Sequence, residues 1–324
     1  MSRLSLSDSL VERILDSGYR VLITGATGWL GRASLEILGR VYGKGFVGSV
    51  NCFGSSRQTV HLRDGLSIDQ QPLAAMGSVD RGRYILLHFA CLAKDKVAGM
   101  SLDEYVATNR AISRISREAA ERVGVDRIFL VSSGAVYQAM ATTEPPSEPH
   151  PYGIMKLEEE HLFSSFAYDH AGSKVVTARL FNLSGPYVNK IKTYALSSFI
   201  EQIRDQGVGA TIRINAPHPV IRSYVGVENL LNVAFAHLFD DTTAAYDHFD
   251  TAGDGEVEIF ELAEIVRSIV NPAASILRPQ FSAARADRYV GDGSKFRSLA
   301  VRYGIPLHDL HQQIRDTAEY LGAP

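Results

Sequence analysis

The amino-acid sequence predicts an α/β protein with a doubly wound parallel sheet and a smaller, discontinuous C-terminal lobe. Short apolar runs alternate with helical stretches through the first half of the chain. Helices of this length serve as crossovers, and crossovers join parallel strands and leave helices on both faces of a sheet. The alternation becomes less regular after about residue 180, and a chain of 324 residues has material for about two domains.

The individual elements follow from these runs in chain order. The predicted strands are Tyr19–Thr24, Val47–Phe53, Arg83–Ala90, Asp126–Ser132 and Ser173–Leu180. The predicted helices are Arg32–Val41, Leu102–Val123 and Tyr152–Tyr168. We expect residues 1–180 to form the first domain, with segments near 220–252 returning to it, and residues 181–324 to form mainly the second lobe.

Composition and charge exclude several classes of protein. Thirty-three Lys and Arg against 36 Asp and Glu leave a net charge of −3, so a nucleic-acid partner is not expected. No apolar run approaches the ~18 residues of a membrane span, and the stretch SLSDSLVERILDSG lacks the basic-then-apolar order of a signal peptide. Two cysteines, Cys52 and Cys91, cannot make a disulfide framework. We therefore expect a cytoplasmic protein with no membrane partner.

Three glycines, Gly25, Gly28 and Gly31, stand in TGATGWLG between the first strand and the first helix. Glycines let the backbone turn tightly, and the helix N-terminus then offers free N–H groups and a positive dipole to a pyrophosphate. A plain strand-to-helix turn would also use glycines. The preceding strand, the following helix and the place near the N-terminus together predict that residues 1–180 bind a dinucleotide.

The end of the second strand distinguishes the two nicotinamide dinucleotides. An acid there binds the ribose 2′-hydroxyl of NAD, whereas the 2′-phosphate of NADP favours arginine and small hydroxyl groups. The chain has Ser55, Ser56 and Arg57 at this point and no acid before Asp64. The sequence therefore favours NADP over NAD, the alternative being that Arg57 is a solvated residue at a strand end.

A serine, a tyrosine and a lysine form a candidate catalytic set. Tyr152 and Lys156 stand four apart in YGIMK, on one face of a predicted helix. A lysine ammonium beside a phenol favours the phenolate and brings the phenol into range for acid–base work. Upstream, VSSGAVY places serines at the carboxyl end of a strand, where open α/β sheets bind ligands. A serine hydroxyl there would hold a carbonyl while Tyr152 transfers the proton.

These motifs and their order resemble the extended short-chain dehydrogenase/reductases, the branch of nucleotide-sugar epimerases, dehydratases and ketoreductases. The resemblance covers nearly the whole chain through TGATGWLG, LHFACLA, ATNRAI, VSSGAVY, YGIMK, ARLFNLSGP, IRSYVGVENL, FDTAGDGEVEIFELAEIV and RADRYVGDGSKF. It implies a Rossmann-like sheet, a nucleotide-sugar substrate and a homodimer.

The resemblance also assigns roles to individual positions. It implies that Ser133, Tyr152 and Lys156 are catalytic and that Asn109 steadies the active site. The cofactor contacts are predicted at Gly25, Thr27, Gly28, Trp29, Leu30, Gly31, Ser55, Ser56, Arg57, Asp69, Ala90, Asn109, Leu180 and Phe181. The substrate contacts are predicted at Asn182, near the sugar phosphate, at Arg222, on the diphosphate, and at Arg285. An ion pair that only supports the lobe is the alternative for Arg222.

Departures from the family pattern reduce the number of candidate reactions. Gly134 and Ala135 stand where the dehydratases carry an Asp-Glu pair, so dehydration is not expected. A reductase exchanges NADPH at every turnover, so the preference for NADP favours ketoreduction of a sugar carbon over 4-epimerisation with tightly bound NAD. A non-enzymatic dinucleotide sensor and a reductase of a hydrophobic carbonyl are the further alternatives.

No metal site is expected. His61 and His88 lack a second ligand at helical spacing, and we expect His88 to pack beside the cofactor at a strand end. The segment DTAGDGEVEIFE resembles a calcium loop, but Ala252 replaces one ligand.

Overall fold

The structure is a computed structural model, and it describes residues 3–92, 99–141, 151–253, 255–280 and 286–323. Its helices are α1 (Asp8–Ser17), α2 (Trp29–Tyr42), α3 (Phe46–Ser49), α4 (Leu102–Val123), α5 (Val136–Ala141), α6 (Pro151–Asp169), α7 (Ala195–Gln206), α8 (Val227–Leu238), α9 (Ile259–Val270), α10 (Ser294–Arg302) and α11 (Leu310–Leu321). Two 3-10 helices span Gly43–Gly45 and Leu73–Ser78.

The strands are shorter than the helices. They are β1 (Arg20–Thr24), β2 (Val50–Gly54), β3 (Gln58–His61), β4 (Ser67–Pro72), β5 (Tyr84–His88), β6 (Val125–Ser133), β7 (Lys174–Leu180), β8 (Leu183–Ser184), β9 (Thr211–Arg213), β10 (Val220–Arg222), β11 (Val225–Gly226), β12 (Tyr246–Asp250), β13 (Val257–Glu258), β14 (Ser275–Leu277) and β15 (Asp287–Tyr289).

The central sheet has the strand order β12-β7-β6-β5-β1-β2-β4-β3. Strand β1 pairs in parallel with β2 on one side and β5 on the other, and the parallel pairing continues through β6 to β7. The chain order therefore reverses at β1, which is the point where doubly wound sheets bind ligands beyond the carboxyl ends of their strands. The predicted α/β class and Rossmann-like parallel sheet are confirmed.

The central strands form because their side chains are apolar on both faces. Val21, Leu22 and Ile23 of β1 and all five residues of β5 are buried, as expected where helices cover both sides of a parallel sheet. Helix α4 begins at a capping box between Ser101 and Glu104 and ends at Gly124, whose φ of +88° suits glycine.

The structure differs from the sequence-based expectation on one side of the sheet. The predicted strand Val47–Phe53 is wrong over its first three residues, because α3 occupies them and β2 begins only at Val50. The hairpin of β3 and β4 follows, with β3 antiparallel to β4 and β4 parallel to β2. Helix α1 also precedes the first predicted strand.

The chain divides into two compact units. The N-terminal unit comprises Ser5–Leu180 and Ala234–Phe249, and the C-terminal unit comprises Met1–Leu4, Phe181–Val233 and Asp250–Pro324. The segment that returns to the N-terminal unit is Ala234–Phe249, inside the stretch 220–252 expected from the sequence. The C-terminal unit contains the three-stranded sheet β13-β10-β15 and the two-stranded sheets β11-β8 and β14-β9.

Candidate functional site

The glycine loop packs too closely for side chains. Gly25 follows β1 with a φ of +75°, and a Cβ there would lie 2.8 Å from the backbone nitrogen of Ala90. A Cβ at Gly31 would lie 2.4 Å from the carbonyl oxygen of Gly25. Gly28 is the N-cap of α2 and has no side chain that could cover the first N–H groups of the helix. This cradle fits the pyrophosphate of a dinucleotide.

The other predicted loop residues flank this cradle. The carbonyl of Thr27 accepts a hydrogen bond from Arg32 at 3.2 Å, and Trp29 and Leu30 form the first turn of α2. The Gly25 amide donates to the carbonyl of Phe53 at 2.9 Å. The loop is thereby joined to the carboxyl end of β2, and the residues predicted to select the cofactor follow this strand.

Ser55, Ser56 and Arg57 are exposed beyond the end of β2. Arg57 makes no hydrogen bond or ion pair with another residue that the structure describes. Gln70 shapes this strand end, because its amide donates to the Ser56 carbonyl at 3.0 Å and fills the space that a Cβ at Gly54 would need. The strand end thus presents a free guanidinium and no acid.

Asp69 is the predicted cofactor residue that the structure places away from the strand ends. It lies in the middle of β4, where its carboxylate accepts a hydrogen bond from the Thr59 hydroxyl at 2.8 Å. Gln71 and Pro72 form the carboxyl end of this strand instead. The side chain of Asp69 therefore stabilises the pairing of β4 with β3.

Asn109 ties helix α4 to the segment that follows β5. Its Oδ1 accepts from the Leu92 amide at 2.8 Å and from the Cys91 thiol at 3.2 Å, and its Nδ2 donates to the Tyr105 carbonyl at 3.1 Å. The side chain is buried, so these bonds satisfy a polar group that would otherwise be costly. Asn109 thus steadies the backbone beside Ala90.

The two serines of VSSGAVY take different roles. Ser132 donates to Glu160 at 2.5 Å in a buried cluster with Arg179, whereas the Ser133 hydroxyl accepts from the Ala135 amide at 3.2 Å at the carboxyl end of β6. Burial lowers the pKa of Arg179, but its bonds to Glu160 and Tyr137 outweigh burial and raise the pKa. Ser132 is thus engaged with Glu160 inside the fold, whereas Ser133 lies at the end of the strand.

Helix α6 approaches the strand end through a glycine. A Cβ at Gly153 would lie 2.4 Å from the carbonyl oxygen of Ala135. Gly153 follows Tyr152 directly, so the close contact brings the first turn of α6 to the segment that carries Ser133. The structure therefore places Tyr152 and Lys156 on the helix beside the predicted serine.

Lys156 is held by a carboxylate that the sequence analysis missed. Its ammonium donates to Glu159 Oε2 at 2.6 Å and to the Val131 carbonyl at 3.0 Å. Glu159 Oε1 in turn accepts from the Ser113 hydroxyl at 2.6 Å and bonds His88 Nε2 at 3.1 Å. The side chains of Lys156 and Glu159 are only 8% and 5% exposed, so this is a buried ion pair.

The charges of this pair stabilise each other. Burial lowers the pKa of Lys156, but the charges of Glu159, Cys91 and Tyr152 outweigh burial and raise it above its ordinary value. Burial raises the pKa of Glu159, but the charge of Lys156 and the bond from His88 outweigh burial and lower the pKa to about 2. Both groups are therefore ionised at neutral pH.

His88 is the last residue of β5 and is buried. Its Nδ1 is 2.8 Å from the Thr24 hydroxyl, which also accepts a hydrogen bond from the Ala90 amide at 3.3 Å. An ionised carboxylate can only accept, so Nε2 carries the proton that points at Glu159. His88 therefore links β1, the strand before the glycine loop, to the Lys156–Glu159 pair.

The residues predicted to bind substrate lie in the C-terminal unit. Asn182 donates to the carbonyls of Ser223 at 3.1 Å and Tyr289 at 3.4 Å. Arg222 is bound to Asp287, through the carboxylate at 2.7 Å and the backbone carbonyl at 2.9 Å. The ion-pair partner of Arg222 is therefore Asp287 in the neighbouring strand β15.

The remaining predicted residues lie at the unit boundary or outside the described chain. The Leu180 carbonyl accepts from the Gly134 amide at 2.9 Å, and the Phe181 amide donates to Thr251 Oγ1 at 3.1 Å. Arg285 lies outside the described residues. Within the described ranges there is no cluster of three His, Cys, Asp or Glu that could hold a metal, and no helix that could cross a membrane.

The chain is similar to several groups of known proteins. A model of the NAD dependent epimerase/dehydratase family matches residues 21–249. UDP-glucuronic acid decarboxylase 3 of Arabidopsis thaliana is 25% identical over 325 residues, which cover 94% of this chain and 92% of the relative. Probable GDP-L-fucose synthase 1 of Oryza sativa subsp. japonica is 21% identical over 332 residues, which cover 95% and 94%.

Solved structures match over nearly the whole chain. The UDP-N-acetylglucosamine 4-epimerase from Methanobrevibacter ruminantium in complex with UDP-N-acetylmuramic acid has a TM-score of 0.70 at 19% identity, covering 94% of this chain and 98% of that one. The Thermus thermophilus UDP-glucose 4-epimerase in complex with NAD has a TM-score of 0.67 at 18% identity, covering 94% and 99%. At these identities the match is one of fold.

Proposed function

Because this chain belongs to the NAD dependent epimerase/dehydratase family, we propose that it uses NADPH to reduce a keto carbon of a nucleotide-activated sugar. The observation that carries this proposal is the contact between Gly153 and Ala135, which sets Tyr152 and Lys156 beside the strand end of Ser133. The glycine cradle after β1 supports a dinucleotide at the same edge of the sheet.

The proposed reaction divides the work between the cofactor and three side chains. A nicotinamide cofactor, when bound, would supply the hydride for the keto carbon. Ser133 donates a hydrogen bond to the keto oxygen, and Tyr152 transfers its phenolic proton to that oxygen, so the product is an alcohol. The charge of Lys156 favours the phenolate left on Tyr152. Solvent returns a proton to the phenolate before the next turnover.

The preference for NADPH rests on the end of β2. The 2′-phosphate distinguishes NADPH from NADH, and a guanidinium forms charge-assisted hydrogen bonds with phosphate oxygens. Arg57 is exposed there and has no partner among the described residues, and Gln70 occupies the space that a side chain at Gly54 would need. Both observations favour a phosphate over a ribose hydroxyl held by an acid.

A 4-epimerase is the second candidate, and the fold comparison favours it. The similar solved structures include two 4-epimerases of nucleotide sugars, one of them in complex with NAD. The same three side chains would serve an epimerase, with the keto sugar rotating between two hydride transfers. The two candidates differ in where the hydride ends, because an epimerase returns it to the same sugar.

Three experiments test the proposal. A thermal-shift screen of NADPH, NADH, NADP and NAD, followed by UDP, dTDP, GDP and CDP, identifies the ligands that stabilise the chain. Mass analysis of ligands that co-purify with the chain then limits the candidates for the sugar. With NADPH deuterated at the transferred position, a reductase places deuterium in the sugar product, whereas an epimerase releases an unlabelled epimer and keeps its cofactor. The second result would replace ketoreduction by epimerisation.

A further inference from the structure

Three consecutive glutamates, Glu158 to Glu160, begin two residues after Lys156 on helix α6, and they have three different environments. Glu158 lies at the surface, where it binds Arg110 and is 40% exposed. Glu160 is buried and bound to Arg179 at 2.7 Å. Glu159 alone faces Lys156, and it is bound on both carboxylate oxygens by groups from three elements of the fold.

Donors from three elements of the fold hold the Glu159 carboxylate through both of its oxygens. Ser113 of α4 and His88 of β5 donate to Oε1, and the Lys156 ammonium donates to Oε2. Lys156 itself has a second anchor on the Val131 carbonyl of β6. The ammonium is therefore held at one place relative to the sheet, at the edge of a cavity of about 240 Å³ that Tyr152 and Cys91 also line.

We propose that Glu159 is a positioning residue of the active site: it is the buried counter-ion that keeps Lys156 protonated and fixed beside Tyr152. This inference rests on the proposed roles of Tyr152 and Lys156. A lysine that loses its charge, or swings away from the phenol, cannot stabilise a phenolate. Because Lys156 is buried, it would lose its proton far more easily without an anion within bonding distance.

The charged and titratable groups around the pair come from three elements. Tyr152 precedes Lys156 by one turn on α6, Cys91 follows β5, and His88 lies within β5. Arg110, Arg114 and Glu158 also line the cavity, but both arginines have acidic partners at the surface. Glu159 is the anion that bonds to Lys156, and the charges of Tyr152 and Cys91 act on the same ammonium.

Removal of the negative charge of Glu159 lowers the pKa of the Tyr152–Lys156 pair, whichever of the two groups loses its proton first. Tyr152 and Lys156 interact, so the pair loses its first proton at a pKa that belongs to both groups. Reduction needs the phenol and the ammonium together, each protonated. Without the carboxylate the pair holds its protons less tightly, so Glu159→Gln must lose reductive activity at a lower pH than the wild type.

The first measurement needs no substrate. In Glu159→Gln, burial without the counter-ion puts the pKa of folded Lys156 below its unfolded value of about 10.4, so the unfolded chain binds more protons and stability rises with pH up to that value. In the wild type the pKa of Lys156 is raised, so the pair stays intact over the same range. The unfolding temperature of Glu159→Gln should therefore approach that of the wild type as the pH increases from about 7 to about 10. A difference that does not change with pH would overturn the inference.

The second measurement is the pH profile of ketoreduction. We expect the alkaline limb of kcat/KM to move down by about one pH unit or more in Glu159→Gln, because the removed charge lies at bonding distance from Lys156. Glu159→Asp keeps the charge and should keep the limb near its wild-type pH, even if turnover falls. An unmoved limb in Glu159→Gln would overturn the inference, since a merely structural carboxylate would lower stability and leave the limb in place.

Glu158→Gln is the matched control. It makes the same chemical change one residue away, at a surface pair with Arg110, and should leave both the stability trend and the pH profile as in the wild type. If Glu159→Gln does not fold, Lys156→Met with Glu159→Gln removes both charges and should restore folding. Failure of the double variant to fold would count against the counter-ion role. If the wild-type chain turns over no keto-sugar nucleotide, the proposed function fails, while the stability trend still decides the role of Glu159.

Discussion

Lys156 in the N-terminal unit and Arg222 in the C-terminal unit are each paired with a carboxylate, at 2.6 Å and 2.7 Å, but in different surroundings. Lys156 and Glu159 are 8% and 5% exposed, and further donors fix the carboxylate. Arg222 and Asp287 are 21% and 50% exposed and lie on neighbouring strands of a small sheet. Similar distances therefore describe one permanent pair and one that water and ligands can reach.

The comparison corresponds to the two roles proposed for these cations. A catalytic charge must have one position and one protonation state, and burial with a full set of hydrogen bonds supplies both. A substrate-binding charge must exchange its partner when the ligand arrives, and an exposed ion pair costs at most about 1 kcal/mol to open. Substitutions in the first region should therefore change the chemical step, and those in the second should change affinity.

The largest effect is expected at the buried region, from Tyr152→Phe. Loss of a positioned acid–base group should lower ketoreductase turnover by ~100-fold or more, whereas the unfolding temperature and the NADPH affinity should stay near the wild-type values. Steady-state kinetics and a thermal melt of the same preparation check both parts. Turnover close to wild type would remove the phenol from the chemical step.

The sequence predicted the central sheet well and its margin poorly. Strands such as β5 were found because both faces are buried, so the run is apolar from Tyr84 up to its last residue, His88. The hairpin of β3 and β4 was missed because these strands alternate exposed polar residues with single buried ones, such as Val60 and Ile68. Helix α1 was missed for a similar reason, since only Leu10 and Ile14 are buried in it.

In the site too, residues that follow a local sequence pattern were predicted, and a residue defined by contacts distant in sequence was not. The spacing of Tyr152 and Lys156 was readable because a helix places residues four apart on one face. Glu159 was not recognised, because three consecutive glutamates are typical of a solvated surface. Helical phase could have identified it, since Glu159 lies three residues beyond Lys156 and seven beyond Tyr152, on the same face. His88 and Ser113, the partners that confirm its burial, come from distant parts of the sequence.

The next largest effect tests the free cation at the end of β2. Arg57→Ala should weaken NADPH binding by about ten- to a hundredfold and change NADH binding little, because only NADPH carries the 2′-phosphate. Fluorescence titration with both cofactors measures the ratio. Equal losses for the two cofactors would make Arg57 a solvated bystander and would favour NAD and the epimerase candidate.

A smaller effect is expected from Arg222→Lys in the exposed region. A lysine cannot reproduce the two-pronged contact of a guanidinium with a diphosphate, so the KM of the nucleotide sugar should rise by about tenfold. NADPH affinity and kcat should change little, which is the reverse of the pattern expected for Tyr152→Phe. Calorimetric titration with the free nucleoside diphosphate measures the affinity directly. Unchanged affinity there would leave Arg222 as a support for β10 and β15 only.

The smallest effect is expected from Asp287→Asn. This substitution is the most direct test of the comparison, because it removes the carboxylate of the exposed pair and leaves the cation. In Asp287→Asn the amide keeps its size but no longer competes with an anionic ligand for Arg222, so nucleoside diphosphate affinity should rise by about two- to fivefold. The unfolding temperature should hardly change, in contrast to Glu159→Gln, because this ion pair is exposed. The matched control is Glu256→Gln, which opens the Arg288–Glu256 pair beside it without touching Arg222 and should leave affinity unaltered. A loss of affinity in Asp287→Asn would mean that Asp287 aims Arg222 at the ligand, and the exposed pair would then be as fixed in its role as the buried one.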